Sequence, residues 1–287
     1  MHEPEGVVAV TGATGRVGGR VARQLADAGV PQRLLVRDPS RAPELAHAGV
    51  ARASYADGRA SRAALQGVET VFMVSGAEAP DRVEQHATFI DAAADAGVRR
   101  LVYLSFYGAA PDATFTLARD HWATEEHVRT SGLAWTFLRD NLYLDFLAFV
   151  AGDDGVIRGP AGDGRVAAVA IDDIADVAAT VLRDPGRHQG CTYSLTGPAA
   201  LTLEQVAATV SRVTGREVTF HDETVGEAFA SREGYGAPAW QVKAWVSTYS
   251  AIAAGELAGV TDHVERATGR SPRTLEHVLR SSGSGTS

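Results

Sequence analysis

The first 140 residues alternate short β-branched runs with alanine-rich stretches of helical spacing, and that rhythm leaves few folds open. Strands are predicted at Val7 to Val10, Arg33 to Val36, Ala51 to Tyr55, Thr70 to Val74, Leu101 to Leu104 and Ala134 to Leu138. Helices are predicted between them at about 16–28, 41–48, 60–66, 82–96 and 119–131. Parallel βαβ units joined by right-handed crossovers produce this pattern. Gly29, Gly49, Gly97 and Gly132 each follow a helical stretch, where a left-handed cap favours glycine. The expected fold is α/β, a Rossmann-type doubly wound parallel sheet with a smaller, mainly helical C-terminal substrate lobe.

Beyond Asp140 the rhythm breaks. The segment from Gly155 reads as a short hairpin followed by a helix beginning near Asp172, and "TYSLTG" as one more strand. "LTLEQVAATVSRVTG" is an amphipathic helix with Thr202 and Gln205 spaced as a capping box, "EVTFHDE" is strand-like, and Val225 to Leu279 is mainly helical. The division expected is 1–146 with 165–197 as the nucleotide-binding domain, 147–164 with 198–280 as the smaller lobe, and 281–287 as a flexible tail. The cleft between the lobes is the expected site.

Composition excludes several classes. The net charge of -8, without a basic stripe, argues against nucleic acid as a partner. No apolar run reaches bilayer length and "MHEPEG" lacks the features of a signal peptide, so a cytoplasmic protein without membrane contact is expected. Cys191, the one cysteine, rules out an intrachain disulfide and a cysteine metal cluster, and is read as a small buried filler. No metal site is expected. Homo-oligomerisation stays open.

Gly12, Gly15 and Gly18 form a GxxGxxG pattern at the first predicted strand-to-helix junction. Their expected roles are a tight turn, close approach of a pyrophosphate to the backbone, and close helix–strand packing. Arg37 ends the second strand, where a carboxylate would hold the ribose hydroxyls of NAD. A guanidinium there suits the 2'-phosphate of NADP, with Arg33 and Arg41 near enough in sequence to assist. NADPH is therefore expected over NADH. The alternative keeps "RDPSR" as a solvated turn, with Asp38 or Ser40 capping the next helix, or Asp38 binding a ribose.

The blocks "AVTGATGRVGG", "LLVRDPSRA", "YADGRASRAALQGVETVFMVSG", "AGVRRLVYLS", "LARDHWATEEHVRTSGLAWTFLRDNLYLDF" and "YSAIAAGE" resemble the NmrA-like atypical short-chain dehydrogenases. The likeness is greatest to NAD(P)H:quinone oxidoreductases and triphenylmethane dye reductases, and it covers nearly the whole chain. It implies that Gly12, Ala13, Thr14, Gly15, Arg16, Val17 and Arg37 bind NADP. It also implies that Ser75 and the stretch from Leu138 through Asn141 to Tyr143 approach the nicotinamide half.

Ordinary short-chain dehydrogenases use a Tyr and a Lys four residues apart. Here the corresponding helix carries His121 and Glu125, and the single lysine, Lys243, is preceded four residues earlier by Ala239. A simple ketone reduced by hydride becomes a basic alkoxide that needs a positioned acid, whereas a quinone or cationic dye becomes a delocalised or neutral product. The expected reaction is hydride transfer to a quinone-like or other conjugated aromatic acceptor. His121, oriented by Glu125, is one candidate acid, although an i, i+4 pair is also a common surface ion pair. Ser105 and Tyr107 are alternative donors. Trp122, Asn141 and Tyr143 are candidate acceptor-binding residues, with packing as the competing role for Trp122 and Tyr143. The other functional class left open is a non-catalytic NADP sensor of the NmrA type acting through a protein partner.

Overall fold

The computed structural model describes residues 6–283. The chain runs β1 (Val7–Thr11), α1 (Arg16–Asp27), β2 (Gln32–Val36), β3 (Ala48–Arg52), α2 (Gly58–Ala64), β4 (Val68–Val74), α3 (Arg82–Asp95), β5 (Arg100–Phe106), α4 (Thr116–Thr130) and β6 (Ala134–Asp140). It continues through α5 (Leu144–Leu147), β7 (Val156–Gly159), β8 (Arg165–Val166), α6 (Ile171–Arg183) and β9 (Cys191–Leu195). The remainder is β10 (Leu201–Thr202), α7 (Leu203–Thr214), β11 (Thr219–Asp222), α8 (Val225–Arg232), α9 (Ala239–Ala253), α10 (His263–Thr268) and α11 (Leu275–Gly283). Among the described residues no helix is long and apolar enough to cross a membrane.

Seven strands form one sheet in the order β3-β2-β1-β4-β5-β6-β9, and the first five pair in parallel. The chain starts at β1, winds outward to β3, and returns to place β4 on the other side of β1. That reversal opens a crevice at the carboxyl ends of β1 and β4, where open α/β sheets hold their ligands. The central strands are buried on both faces, which is why β1 and β4 read as nearly continuous apolar runs. α1 buries Val17, Val21, Ala22, Leu25 and Ala26 on one stripe. The chain then turns through Gly29, whose φ of +70° an L side chain would resist.

Contacts divide the chain into two compact units, residues 6–109, 120–139 and 174–193 in the first and residues 110–119, 140–173 and 194–283 in the second. The first has a core around Met73, Phe89, Tyr103 and Phe137. In the second, β7 pairs in parallel with β11 and β8 pairs antiparallel with β10.

Several local expectations are corrected. No helix spans 41–48: a single 3-10 turn, Pro39–Arg41, is followed by an extended Ala42, as the residue before Pro43 prefers. β3 therefore begins at Ala48, with Gln32 opposite Ala48, so Gly49 lies inside a strand. The left-handed residue there is His47, with φ +59°. β7 and β8 do not form a hairpin, since each pairs with a later strand. The Thr202–Gln205 capping box forms with both of its bonds, and a second one, Thr224 with Glu227, opens α8. Cys191 is half-buried rather than buried. Of the expected flexible tail, residues 281–283 end α11, and 284–287 lie outside the described residues.

Candidate active site

The loop after β1 is shaped by three glycines with separate duties. Gly12 takes φ +64°, and the Gly15 amide donates to its carbonyl at 2.8 Å, which closes the turn into α1. A Cβ on Gly18 would stand 2.4 Å from the Gly12 oxygen, so the helix approaches the loop as closely as only glycine allows. A Cβ on Gly15 would lie 3.2 Å from that oxygen. The first turn of α1 has no acidic residue, leaving its positive dipole end unopposed.

A cavity of about 470 Å³ adjoins the loop, with Thr11, Gly12, Thr14, Gly15, Arg37 and Ser75 in its wall. Gly12, Thr14 and Gly15 are exposed, as an anion cradle requires. Ala13 and Val17 turn into the core at 2% and 5% exposure, and neither they nor Arg16 line the cavity. The bare, open glycine turn and the guanidinium in the same wall fit a dinucleotide phosphate.

Asp38, the alternative to Arg37, points its carboxylate at the Ser40 amide (3.0 Å) and hydroxyl (2.7 Å). These bonds hold its pKa below the usual carboxylate value. Asp38 thus caps the 3-10 turn and is absent from the cavity wall. Arg33 is not available to assist, because its guanidinium donates to the carbonyls of Ala64 and Gln66, each at 2.8 Å. Arg41 is exposed and its charge reaches Asp38. Arg52 reaches it as well, from β3 opposite Val36. The strand expected at Ala51 to Tyr55 forms three residues earlier, at Ala48–Arg52, and this puts Arg52 at its carboxyl end.

Two further residues bear on the cavity without any signal in the sequence, one in its wall and one behind it. Tyr55 lines it, donates to the Val74 carbonyl at 2.5 Å and meets the Thr11 hydroxyl at 2.6 Å. Burial raises its pKa well above the ordinary phenol value. His86 accepts from the Gly76 amide on Nε2 at 2.8 Å, so its proton sits on Nδ1 and faces Thr124 Oγ1 at 2.9 Å. Burial, helped by the charge of Arg82, lowers its pKa to about 3.

The candidate donors are arranged differently from the sequence expectation. His121 and Glu125 do not pair, and neither is on the surface: they are 6% and 0% exposed. His121 Nδ1 meets the Tyr103 hydroxyl at 3.0 Å, and burial drives its pKa well down, so the ring is neutral. Glu125 accepts both Arg139 Nε (2.8 Å) and a terminal Arg139 nitrogen (2.6 Å), together with Ser105 Oγ at 2.6 Å. Ser105 is thereby committed to a buried ion pair. Trp122 and Tyr107 are half-buried, and none of Ser105, Tyr107, His121 or Trp122 lines the cavity beside the glycine loop. Among the described residues no cluster of three His, Cys, Asp or Glu could hold a metal.

Leu138 is wholly buried in β6. In the second unit, Asn141 spends its side chain on the Leu257 carbonyl at 3.0 Å and the Leu142 amide at 2.8 Å. Tyr143 donates to Asp140 Oδ2 at 2.7 Å, and burial pushes the Asp140 carboxyl up to about 8. No local pattern in the sequence marks Asp140; only its depth in the fold does.

The chain is 37% identical over 279 residues to an NAD(P)H azoreductase of Xenophilus azovorans, covering 96% of this chain and 97% of that one. Its fold superposes on an NADPH-dependent quinone oxidoreductase of Escherichia coli complexed with NADPH, with a TM-score of 0.88 and 31% identity over 96% of this chain and 99% of that one. It superposes equally broadly, over 96% and 99% of the two chains, on a Citrobacter sp. triphenylmethane reductase complexed with NADP(H), with a TM-score of 0.85 and 30% identity. The NmrA-like family pattern matches residues 4–249, and the chain belongs to the NmrA-like family.

Proposed function

We propose that the chain is an NADPH-dependent oxidoreductase that reduces a quinone-like or other conjugated aromatic acceptor without a Tyr/Lys dyad. The observation that carries this reading is the shared cavity of the glycine turn and Arg37. The amides of the turn and the dipole of α1 would hold the pyrophosphate and Arg37 the 2'-phosphate, with the charges of Arg41 and Arg52, which reach the neighbouring Asp38, adding to the positive field there. His86 fixes the Gly76 amide and with it the loop after β4 that carries Ser75. When bound, the cofactor supplies the hydride.

The proton inventory supports a delocalised acceptor. His121 is neutral and buried, Ser105 is bound to Glu125, and Tyr55 is held as an unreactive phenol, so none is poised to protonate a localised alkoxide. Acceptors whose reduced form is stabilised by conjugation need proximity more than an acid. The relatives reduce, by their names, azo compounds, quinones and triphenylmethane dyes, which share extended conjugation.

Steady-state kinetics with NADPH and paired quinone and simple-ketone substrates test the reading, using wild type, His121→Gln and Tyr107→Phe. Quinone turnover is expected to stay within about tenfold in both variants, with no ketone turnover in any. A loss of a hundredfold or more in kcat for His121→Gln alone would assign that residue the acid's role. Absence of turnover with a broad acceptor panel would favour the NADP-sensing alternative.

A further inference from the structure

The second unit contains a cavity of about 560 Å³ whose wall comes entirely from that unit. Its size is in the range of small-molecule sites. Phe146, Phe149, Tyr235, Trp245 and Tyr249 supply aromatic surface. Three of them are unusually open for large apolar side chains, with Phe146 at 53%, Phe149 at 70% and Tyr235 at 71% exposure. Tyr235 and Trp245 meet edge to face with centroids 6.2 Å apart. Such surface left in contact with water is most economically explained by a flat apolar ligand that covers it.

The charged groups of the wall narrow the ligand further. They are two arginines, Arg158 and Arg232, with no acidic side chain among the described lining residues. Arg232 is fixed: it donates to Glu223 at 2.9 Å, to the carbonyls of Ala228 at 2.8 Å and Arg158 at 3.0 Å, and it lies 5.3 Å over the Tyr249 ring. Its charge is compensated by a carboxylate that is itself buried. Arg158 is different. Its partner is Asp154 at 2.6 Å, with the two side chains 40% and 52% exposed, and a pair so open to solvent holds its members weakly. An anion at the cavity can take this guanidinium from Asp154 at little cost, and a planar fork suits a carboxylate or sulfonate. In a chain of net charge -8 the bulk field disfavours anions, so anion selection here needs a local cation.

We propose that this cavity binds a flat aromatic molecule carrying an anionic group, with the aromatic side chains holding the rings and Arg158 selecting the charge. The inference stands on the cavity alone and does not require the reductase reading.

Calorimetric titration of the full chain without NADPH tests it, using anthraquinone-2-sulfonate, uncharged 2-methylanthraquinone and the cation crystal violet as probes. The sulfonate should bind at least about tenfold more tightly than the neutral ring, and the cation most weakly. Arg158→Gln should weaken the sulfonate about tenfold and leave the neutral probe within about twofold, with Arg158→Lys recovering part of the loss. Tyr235→Ala, at a position exposed enough to spare the fold, should weaken the sulfonate and the neutral probe alike. Equal affinity for the three probes, an equal loss of all of them on Arg158→Gln, or binding indifferent to both sites would overturn the proposal. Because no cofactor is present, a failure of the NADPH reading leaves these outcomes unaffected.

Discussion

The Gly76 amide donates to Nε2 of His86 at 2.8 Å, tying the loop after β4 to α3 through a histidine that no local pattern marks. The bond requires a neutral ring with its proton on Nδ1, where it donates to Thr124 Oγ1, and the Thr124 hydroxyl in turn donates to the Asp120 carbonyl at 2.7 Å. A three-link chain therefore sets one wall of the cavity beside the glycine turn.

Removing the imidazole should be felt at that wall. His86→Ala is expected to raise the NADPH Kd roughly fivefold or more, since an amide deprived of its acceptor costs about 1–3 kcal/mol when buried. His86→Gln, which can both accept and donate, should recover part of the loss. Fluorescence titration of the two variants beside wild type reads the difference; an unchanged Kd in a folded His86→Ala protein would detach the loop from the site.

Gly15 and Gly18 should separate binding from folding. Gly15 has φ -97°, which any residue adopts, and a Cβ there meets only the Gly12 carbonyl, at 3.2 Å, beside the open cavity. Gly15→Val is expected to lose NADPH binding with little change in Tm. Gly18→Val places its Cβ 2.4 Å from backbone and should cost about 1–3 kcal/mol of stability, read as a drop in Tm of several degrees. Equal effects of the two on Tm would contradict this division.

Asp140 gives the fold a pH dependence of definite sign. Its folded pKa, raised to about 8 by burial, lies above the unfolded value of 3.8, so the native state holds the extra proton between them. The stability this provides is fully present below about pH 4 and is lost as pH rises through 8. His86 acts oppositely. With its folded pKa lowered from 6.5 to about 3, its contribution is present above pH 6.5 and is lost as pH falls. Between pH 6.5 and 8.5 the two no longer compete, and urea midpoints of wild type should fall with rising pH. Asp140→Asn, which can still accept from Tyr143, should flatten that fall; an unaltered slope would show that Asp140 does not titrate there.

What was legible in the chain was what repeats or is local. The parallel sheet followed from the alternation of β1 to β6 with their helices, and the glycine turn and the Thr202 cap followed from residues within a few positions of one another. What was not legible depends on partners distant in sequence. β3 was placed late because its exposed edge carries little apolar signal, and its register is set by β2. That shift hid Arg52. The same limit applies to the His121–Glu125 pair. Helical spacing put the two on one face, but Tyr103 and Arg139, on neighbouring strands, take their polar atoms instead. Arg33 looks available beside Arg37, yet it sits near the amino end of β2 while Arg37 follows the carboxyl end, and its guanidinium is spent on the carbonyls of Ala64 and Gln66.

Arg37 stands in the wall of the glycine-turn cavity, where it is proposed to read the 2'-phosphate of NADPH. The direct measurement is the pair of dissociation constants for NADPH and NADH in wild type and Arg37→Ala, in the same buffer. A charge-assisted, forked contact to phosphate predicts that NADPH weakens by about tenfold or more while NADH stays within about twofold. Equal losses for the two cofactors, or none for either, would contradict the account.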